Sequence, residues 1–202
     1  MGGEIQCRAR LGKQSSEGKA LLETSELIFR GEFRLKIPFT QMKSVKAVDG
    51  ELRIAFSEGK AVLLLGMQAE KWAQKILHPK TRIEKIGIKP GVRVSLLGEL
   101  EEAFRAELRE SKASVTVGKV AEGSEYVFLV AGSLKDLAQS AKIARSLAGA
   151  AALWIVYPKG GKDITEGDVI ASGRKAGLKD VKVVGFSPTH TALKFVVPVH
   201  QR

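Results

Sequence analysis

The chain has 202 residues, of which 44% are hydrophobic and 27% charged, proportions typical of a soluble globular protein with one large or two small domains. No apolar run approaches the roughly 20 residues of a transmembrane helix, so no membrane span is expected. The formal net charge is +11: residues 1–85 carry 16 basic and 10 acidic residues, and residues 86–202 carry 17 and 12. A basic chain attracts polyanions, but because the excess is spread over both halves, composition alone favours solubility over a dedicated polyanion site.

The amino-terminal segment and the cysteine content favour a cytoplasmic protein. Residues 1–14 lack the apolar stretch of a secretory signal peptide. Cys7 is the single cysteine, so the chain cannot form an internal disulfide, and no metal-binding spacing surrounds it. A reducing compartment is the simplest environment for such a chain. We therefore expect a cytoplasmic location.

The first half of the chain is predicted to form short strands separated by turns. Polar and apolar residues alternate in residues 34–37 and 52–56, as in strands with one buried face. Asp49-Gly50, between two such segments, is typical of a type I′ hairpin, because both central residues of that turn need positive φ. The predicted strands span residues 5–11, 19–23, 26–30, 34–38, 42–48, 51–55 and 61–65.

One amphipathic helix follows these strands. Residues 66–77 carry an apolar stripe at i, i+3, i+4 and i+7 spacing, which includes Trp72, and Pro79 ends the helix. About seven strands followed by a helix with a central Trp resemble the pleckstrin-homology-like barrel, in which the helix closes one open end. The resemblance implies an α+β barrel over residues 5–77.

Many pleckstrin-homology modules bind phosphoinositides through a basic loop between their first two strands. In this chain that loop would be residues 12–19, with the sequence GKQSSEGK. Two lysines and one glutamate bind phosphate poorly compared with the Lys/Arg clusters of phosphate sites. We therefore expect a mobile, solvated loop there.

Residues 79–90 are predicted to link a barrel domain over residues 1–78 to a second domain over residues 91–202. In the second domain strands alternate with helices, and two strands then follow in succession. This order predicts a Rossmann-like, mostly parallel α/β sheet that ends in an antiparallel hairpin. The predicted strands are 92–97, 113–117, 125–131, 153–157, 181–186 and 192–197. The predicted helices are 99–109, one capped by Ser133 that ends near residue 148, and one capped by Thr165 or Asp163 that ends near residue 176.

Three separated motifs lie within residues 86–198: KPGVRV at 89–94, LWIVYPK at 153–159, and GLKDVKV at 177–183 with Leu193-Lys194 further on. With them, this half resembles an uncharacterised bacterial family, a domain of unknown function. The outline of that family also looks like a truncated class I methyltransferase, with alternating βα units and a final antiparallel strand. The resemblance implies a fold and no particular activity.

The residues argue against an intact dinucleotide or S-adenosylmethionine site. Such a site usually needs a glycine-rich turn after the first strand and an acidic side chain after the second. The first turn offers Gly98 without a second or third glycine, and three glutamates follow it at positions 99, 101 and 102. The second strand ends Val117-Gly118-Lys119, with a lysine where a carboxylate is needed. We therefore expect no bound cofactor.

The candidate ligand-binding residues lie beyond the carboxyl ends of the predicted strands, where open α/β sheets bind ligands. The loop PKGGK offers flexible backbone amides and two lysines to a small anion, although it lacks the Gly-Lys-Ser/Thr ending of a P-loop. Neither a catalytic set nor a metal-binding spacing is apparent, because the three histidines are far apart in sequence. The candidates are Gly98, Ser133, Pro158, Lys159, Gly160, Gly161, Lys162 and His190.

Three functions remain open. The first is a non-enzymatic binding or adaptor protein, whose partner is another protein or a small anionic ligand; on balance the sequence favours this over an enzyme. The second is a small-molecule enzyme with an anion site at Lys159–Lys162, near Ser133 and His190. The third is weak binding of nucleic acid or acidic lipid, driven by the net charge. One contiguous basic face would favour the third function, and scattered lysines the first.

Overall fold

The computed structural model describes residues 3–199. The chain divides into two compact units, residues 1–80 and 81–202. Each unit has its own hydrophobic core: residues 1–80 enclose one cluster of buried side chains, and residues 81–202 have a cluster on each face of their sheet.

The first unit is a curled antiparallel sheet in the form of half a barrel, with strand order β4-β3-β2-β1-β7-β6-β5. The hairpin at Asp49-Gly50 has φ values of 50° and 77°, as the type I′ prediction requires. The strands are β1 (Gly3–Leu11), β2 (Gln14–Leu22), β3 (Glu26–Arg30), β4 (Arg34–Pro38), β5 (Met42–Val48), β6 (Glu51–Phe56) and β7 (Gly59–Leu64).

The prediction of a solvated loop over residues 12–19 differs from the structure, because β2 already begins at Gln14. Gly12 and Lys13 alone form the turn between β1 and β2. The inward side chains of β2 begin small, with Ser16 and Gly18, and a Cβ on Gly18 would lie 2.4 Å from the carbonyl oxygen of Arg30. The small residues are therefore needed for close packing inside the curled sheet rather than for loop flexibility.

Helix α1 (Gln68–Leu77) packs against β5 and β6 and buries the predicted apolar stripe. Trp72 is 3% exposed, and its indole lies about 3.1 Å from the position that a Cβ on Gly3 would take. The helix thereby covers one side of the core of the first unit, as expected for a helix with a single apolar face.

The second unit is a mixed six-stranded sheet flanked by helices, with strand order β12-β13-β11-β10-β8-β9. Strands β8 to β11 pair in parallel, and β13 pairs antiparallel with both β11 and β12, so the predicted antiparallel hairpin lies at one edge. The strands are β8 (Arg93–Leu97), β9 (Ser114–Val117), β10 (Tyr126–Val130), β11 (Ala152–Pro158), β12 (Lys179–Gly185) and β13 (His190–Val196).

Helices cover both faces of this sheet. On one face lie α2 (Arg82–Ile86) and α3 (Glu102–Glu110), which contribute Phe104 and Leu108 to the core. On the other lie α4 (Leu134–Leu137), α5 (Ser140–Ala144) and α6 (Glu166–Lys175). The β8–β9 connection therefore uses one face and the β10–β11 connection the other, and the strand order reverses between β8 and β10.

Two helices differ from the predictions for physical reasons. The helix predicted from Ser133 to about residue 148 is split into α4 and α5, and the hydroxyl of Ser172 donates to the carbonyl of Leu137 at the break. Helix α3 begins at Glu102 rather than Glu99, because Leu100 turns into the core and Arg82 holds the carboxylate of Glu101.

The segment predicted to be a linker, residues 79–90, contains α2. Thr81 and Glu84 form a capping box at its start, with the Thr81 hydroxyl accepting from the Glu84 amide and the Glu84 carboxylate accepting from the Thr81 amide. Gly87 ends the helix with a φ of 94°. Because α2 belongs to residues 81–202, most of the predicted linker is part of the second unit.

Candidate functional site

The candidate site is the carboxyl edge of the parallel strands in the second unit. Open α/β sheets bind ligands in a crevice at this edge, where the strand order reverses. Here the reversal lies between β8 and β10, so the loops that follow these two strands would line the crevice. The loop after β11 lies beside them, and the residues that precede β13 reach the same edge because β13 is antiparallel to β11.

The loop after β8 packs tightly against β10. Gly98 has a φ of 88°, and a Cβ at this position would lie 3.0 Å from the Cβ of Val130. Glycine is required here both for its positive φ and for this close approach. The backbone after β8 therefore lies against the last residue of β10 at the edge where the strand order reverses.

The glutamates after Gly98 are paired with arginines. Glu101 accepts a hydrogen bond of 3.1 Å from Arg82, and Glu102 accepts one of 2.6 Å from Arg109. Burial raises the pKa of the Glu101 carboxyl, but hydrogen bonds from Ser187 and Arg82 and the charge of Arg82 together bring that pKa below its usual value. Both carboxylates are therefore ionised at neutral pH, and they place negative charge where α3 begins.

A carboxylate of the chain itself occupies the start of α4, after β10. Asp136 Oδ2 accepts hydrogen bonds from the amides of Gly132 and Ser133, each 3.0 Å long, and from the Ser133 hydroxyl at 2.8 Å. The Ser133 hydroxyl in turn accepts from the Asp136 amide. These bonds lower the pKa of Asp136. Ser133, one of the candidate residues, is thus used as a helix cap.

The loop after β11, residues 158–162, is fixed to the segment before β13. The Lys159 amide donates to the carbonyl of Thr189 at 2.8 Å, and its ammonium donates to the carbonyl of Ser187 at 2.7 Å. The Gly160 φ of 62° allows the turn. Lys162 is exposed, and the start of α6 is capped by Thr165 and Asp168. The structure thus leaves one of the two loop lysines pointing to solvent and uses the other to hold the loop.

His190 lies opposite Pro158 in the β11–β13 register, so these two candidates are neighbours. Its Nδ1 is 2.9 Å from the Thr189 hydroxyl, and its amide donates to Ser187 Oγ. Glu101 lies close enough to Ser187 to accept a hydrogen bond from its hydroxyl, and close enough to His190 that the charge of His190 helps to lower the pKa of the Glu101 carboxyl. Sequence spacing did not predict this carboxylate neighbour, because it comes from a loop 89 positions earlier in the chain.

The loops that carry Ser133, Lys159 and His190 follow or precede strands in the order β10-β11-β13. With strands spaced about 4.8 Å apart, the backbone ends of β10 and β13 are roughly 10 Å apart. The structure therefore brings these candidates to one edge. Gly98 lies one strand further along, after β8.

Arg82, which fastens α2 to the rest of the second unit, was not among the candidate residues predicted from sequence. Its side chain is 11% exposed, and it binds both carboxylate oxygens of Glu107 at 2.9 and 3.0 Å. It also donates to the Phe186 carbonyl at 2.9 Å and lies between the rings of Phe104 and Phe186, 4.8 and 4.7 Å from their centroids. The available signal was the capping-box pattern Thr81-x-x-Glu84, which marks a helix where a linker was predicted.

The segment from β9 to β10 contains no helix and crosses the face of β8. Ser95, fully buried in β8, lies 2.7 Å from the Ser124 hydroxyl and accepts from the Ala121 amide at 3.0 Å. These bonds fix residues 118–125 against the strand. Lys119, at the position where a ribose would require a carboxylate, is exposed.

Further features of residues 3–199 lie away from this edge. A cavity of about 280 Å³, lined in part by Ser124, Tyr126 and Lys194, lies at the opposite, amino-terminal edge of β10 and β11.

No cluster of three or more His, Cys, Asp or Glu side chains within residues 3–199 could hold a metal ion. Burial, with a smaller contribution from the Glu17 charge, raises the pKa of the Cys7 thiol to about 11. No helix in the same range is long and apolar enough to cross a membrane.

Comparison with known proteins identifies no family for this chain. No protein-family model matches it, and neither does any curated protein. The resemblance of residues 86–198 to an uncharacterised bacterial family is therefore without support from a family model.

Among solved structures, the chain is similar to a putative methyltransferase from Thermoplasma acidophilum, with 12% identity, a TM-score of 0.41, and coverage of 55% of this chain and 69% of that one. It is similar to a protein from Pyrococcus horikoshii OT3, with 12% identity, a TM-score of 0.40, and coverage of 65% and 92%. It is also similar to the N-terminal PH domain of human ARAP2, with 9% identity, a TM-score of 0.29, and coverage of 40% and 84%. Similarities this low assign neither a fold family nor a function to the chain.

Proposed function

We propose that this protein is a non-enzymatic, cytoplasmic binding or adaptor protein. In this proposal a pleckstrin-homology-like half-barrel is followed by a Rossmann-like unit that has kept the sheet of a cofactor-binding domain and lost the cofactor site. The observation that carries the proposal is the close contact between Gly98 and Val130, which places the backbone after β8 against β10 where the strand order reverses.

The start of each helix at this edge supports the same conclusion. A phosphate or carboxylate of a cofactor would bind free backbone amides at a helix start. At α4 those amides already bind Asp136, and at α6 the Thr165 amide binds Asp168. At α3 two glutamates stand in or next to the first turn, where they repel a further anion. An incoming anion would have to displace a carboxylate held by two or three hydrogen bonds, which costs more than filling an empty site.

The alternative of a small-molecule enzyme, with its anion site in residues 158–162, is weaker for the same reason. The ammonium of Lys159 and the hydroxyl of Ser133 both have partners within the chain. Binding a substrate through them would break those bonds first. The proximity of His190 and Glu101 is the one observation in favour of this alternative, and it is accounted for by the packing of residues 186–190 against α3.

Thermal unfolding in the presence of cofactors tests the proposal. A ligand that binds the native state with a Kd 100 times below its concentration stabilises that state by about 2.7 kcal/mol. We expect no change in Tm when S-adenosylmethionine, NAD or ATP is added at about 1 mM, a concentration well above the usual Kd of such sites. Each ligand is compared with sodium sulfate at equal ionic strength, because any anion can stabilise a protein of net charge +11 non-specifically. A rise in Tm with one cofactor and not with sulfate would overturn the proposal.

A further inference from the structure

The outer face of the first sheet carries most of the positive charge of its unit. Strand alternation directs one set of side chains into the core and the other set outward, away from it. The outward set, called the outer face below, has nine basic and four acidic members, an excess of five positive charges. Residues 1–80 as a whole have fourteen basic and nine acidic residues, which is the same excess. The basic members are Arg8, Arg10, Lys19, Arg30, Arg34, Lys36, Lys46, Arg53 and Lys60, and the acidic members are Glu4, Glu17, Glu26 and Glu51.

The strand register places like charges opposite one another on the outer face. Lys19 of β2 is paired with Arg30 of β3, and Arg30 is paired with Arg34 of β4. In the other half of the sheet, Arg53 of β6 is paired with Lys46 of β5. Like charges directly opposite each other destabilise a sheet, so these pairs carry a cost that the fold itself does not require. Among residues 3–199, neither Arg30 nor Arg34 has a carboxylate partner within 4 Å.

These cations form a stripe across the sheet. From the β4 edge it runs through Arg34 and Arg30 to Lys19, which is opposite Gln6 of β1. It then steps along β1 through Arg8, which is opposite Glu17, to Arg10. It then passes Val62 on β7, which is opposite both Arg10 and Arg53, and ends at Lys46 on β5. Seven strands have six gaps of about 4.8 Å, so the stripe spans roughly 29 Å across the strands, in addition to its step along β1. Because the sheet is curled, the stripe follows a convex curve.

We propose that the outer face binds the phosphate backbone of a single-stranded nucleic acid, without sequence specificity. Arginine binds phosphate through a planar, two-pronged guanidinium, and five of the seven cations in the stripe are arginines; the other two are Lys19 and Lys46. A flexible strand can follow a curved line of charges, whereas a flat lipid bilayer would meet a convex sheet over only part of its width. In the strands that the structure describes, no Phe, Tyr or Trp faces outward, so base stacking contributes nothing and contacts are confined to phosphates.

The ion pairs along the stripe do not prevent this binding. Arg8 with Glu17 and Lys19 with Glu4 are surface pairs in which every side chain is about half exposed or more, and such pairs contribute little. Arg10 and Arg53 share the single carboxylate of Glu51, so one negative charge is divided between two guanidinium groups. A phosphate can therefore join these cations without a large loss of existing interactions.

The experiment measures binding of a fluorescein-labelled, mixed-sequence DNA strand of about 20 nucleotides, longer than the stripe at 3.4 Å or more per nucleotide, by anisotropy over a range of salt concentrations. The test variant is R30Q/R34Q in the full chain. Each lost phosphate contact reduces the slope of log K against log salt by about 0.7 for single strands. The double variant should therefore lose about 1.4 from the slope, which corresponds to about 25-fold weaker binding near 0.1 M salt when 1 M is the reference.

The matched control is K71Q/K75Q, which removes the same charge from exposed positions of α1, away from the outer face. We expect a much smaller loss for this variant, since salt near 0.1 M screens charges more than about 10 Å apart. Equal losses in the two variants would overturn the proposal, because they would show attraction by net charge alone. It would also be overturned by absence of DNA binding at low salt, or by binding confined to phosphatidylglycerol vesicles, which would assign the face to lipid.

This proposal names a partner for the binding protein proposed above, but it concerns residues 1–80. A cofactor-induced rise in Tm would overturn the proposed function and leave the DNA result intact. Failure of DNA binding would overturn the inference about the outer face and leave the proposed function intact. Circular dichroism of both double variants checks that they fold, and the exposure of all four substituted side chains means that no core packing is lost.

Discussion

Replacing Arg82 by methionine should destabilise the second unit more than any change at an exposed charge. Methionine keeps an unbranched apolar stem between the rings of Phe104 and Phe186 but removes every polar contact. The lost contacts are the two-pronged pair with Glu107 and single bonds to Glu101 and the Phe186 carbonyl. The change therefore isolates the polar contribution of Arg82.

The size of the effect follows from the burial of the partners. Removing one member of a fully buried ion pair costs about 3–5 kcal/mol, and removing one member of an exposed pair costs about 0–1 kcal/mol. Arg82 is 11% exposed, but Glu107 and Glu101 are 35% and 37% exposed, so water can partly replace the lost partner. An intermediate loss of about 2–3 kcal/mol is expected, or roughly 10 °C in Tm for a unit of this size.

Thermal and urea unfolding of the full chain, followed by circular dichroism, measure this loss. The matched control is Arg109→Met on α3, whose pair with Glu102 is 64% and 71% exposed and should be worth less than about 1 kcal/mol. Equal Tm values for the two variants would refute the reasoning, because it depends on the difference in burial. Arg82→Lys should lower the free energy of unfolding by about 1 kcal/mol, since lysine keeps the charge without the two-pronged geometry.

The remaining predictions concern pH, packing, charge and reactivity. Because hydrogen bonds and charge depress the pKa of Glu101 in the folded state, its stabilising contribution is present above the unfolded pKa and is lost as pH falls through the folded pKa. The difference in free energy of unfolding between wild type and the Arg82→Met variant should therefore narrow below about pH 4. Gly173→Ala should destabilise by about 1–3 kcal/mol despite better helix propensity, because its Cβ would lie 2.1 Å from the Phe195 ring; chemical denaturation measures this. Arg30→Thr should raise stability by about 0.2–1 kcal/mol in the same assay, by removing like charges from opposite strands. Cys7 should resist thiol reagents at pH 8 until the protein unfolds, because a pKa of about 11 leaves roughly one thiol in a thousand ionised.

Strand alternation and the turn at Asp49-Gly50 made the seven strands and the helix of the first unit predictable from sequence. The start of β2 was not, because residues 14–18 contain the polar and small residues that also make up loops. Their inward positions depend on contacts with β3, such as the packing of Gly18 against Arg30. Such contacts join residues that are distant along the chain, and local patterns do not report them.

The sequence likewise indicated that the cofactor position after Gly98 lacks glycines, but it did not indicate what fills that position. The contact with Val130 depends on the pairing of β8 with β10, and the pairing of Asp136 with the Gly132 amide depends on how α4 begins. The basic stripe likewise could not be predicted from local sequence patterns. Net charge by halves made the excess look diffuse, and the strand register of the first sheet was needed to show that its cations align.

The central claim is that the carboxyl edge of the α/β sheet is closed to a cofactor. Titration of ¹⁵N-labelled protein with S-adenosylmethionine, followed through the backbone amide signals of Gly98, Gly118 and Gly132, tests it at the residues concerned. The account predicts that the Gly98 and Gly132 signals stay in place up to millimolar ligand, because Val130 packs against Gly98 and Asp136 binds the Gly132 amide. Saturable shifts of the Gly98 and Gly132 signals would contradict it.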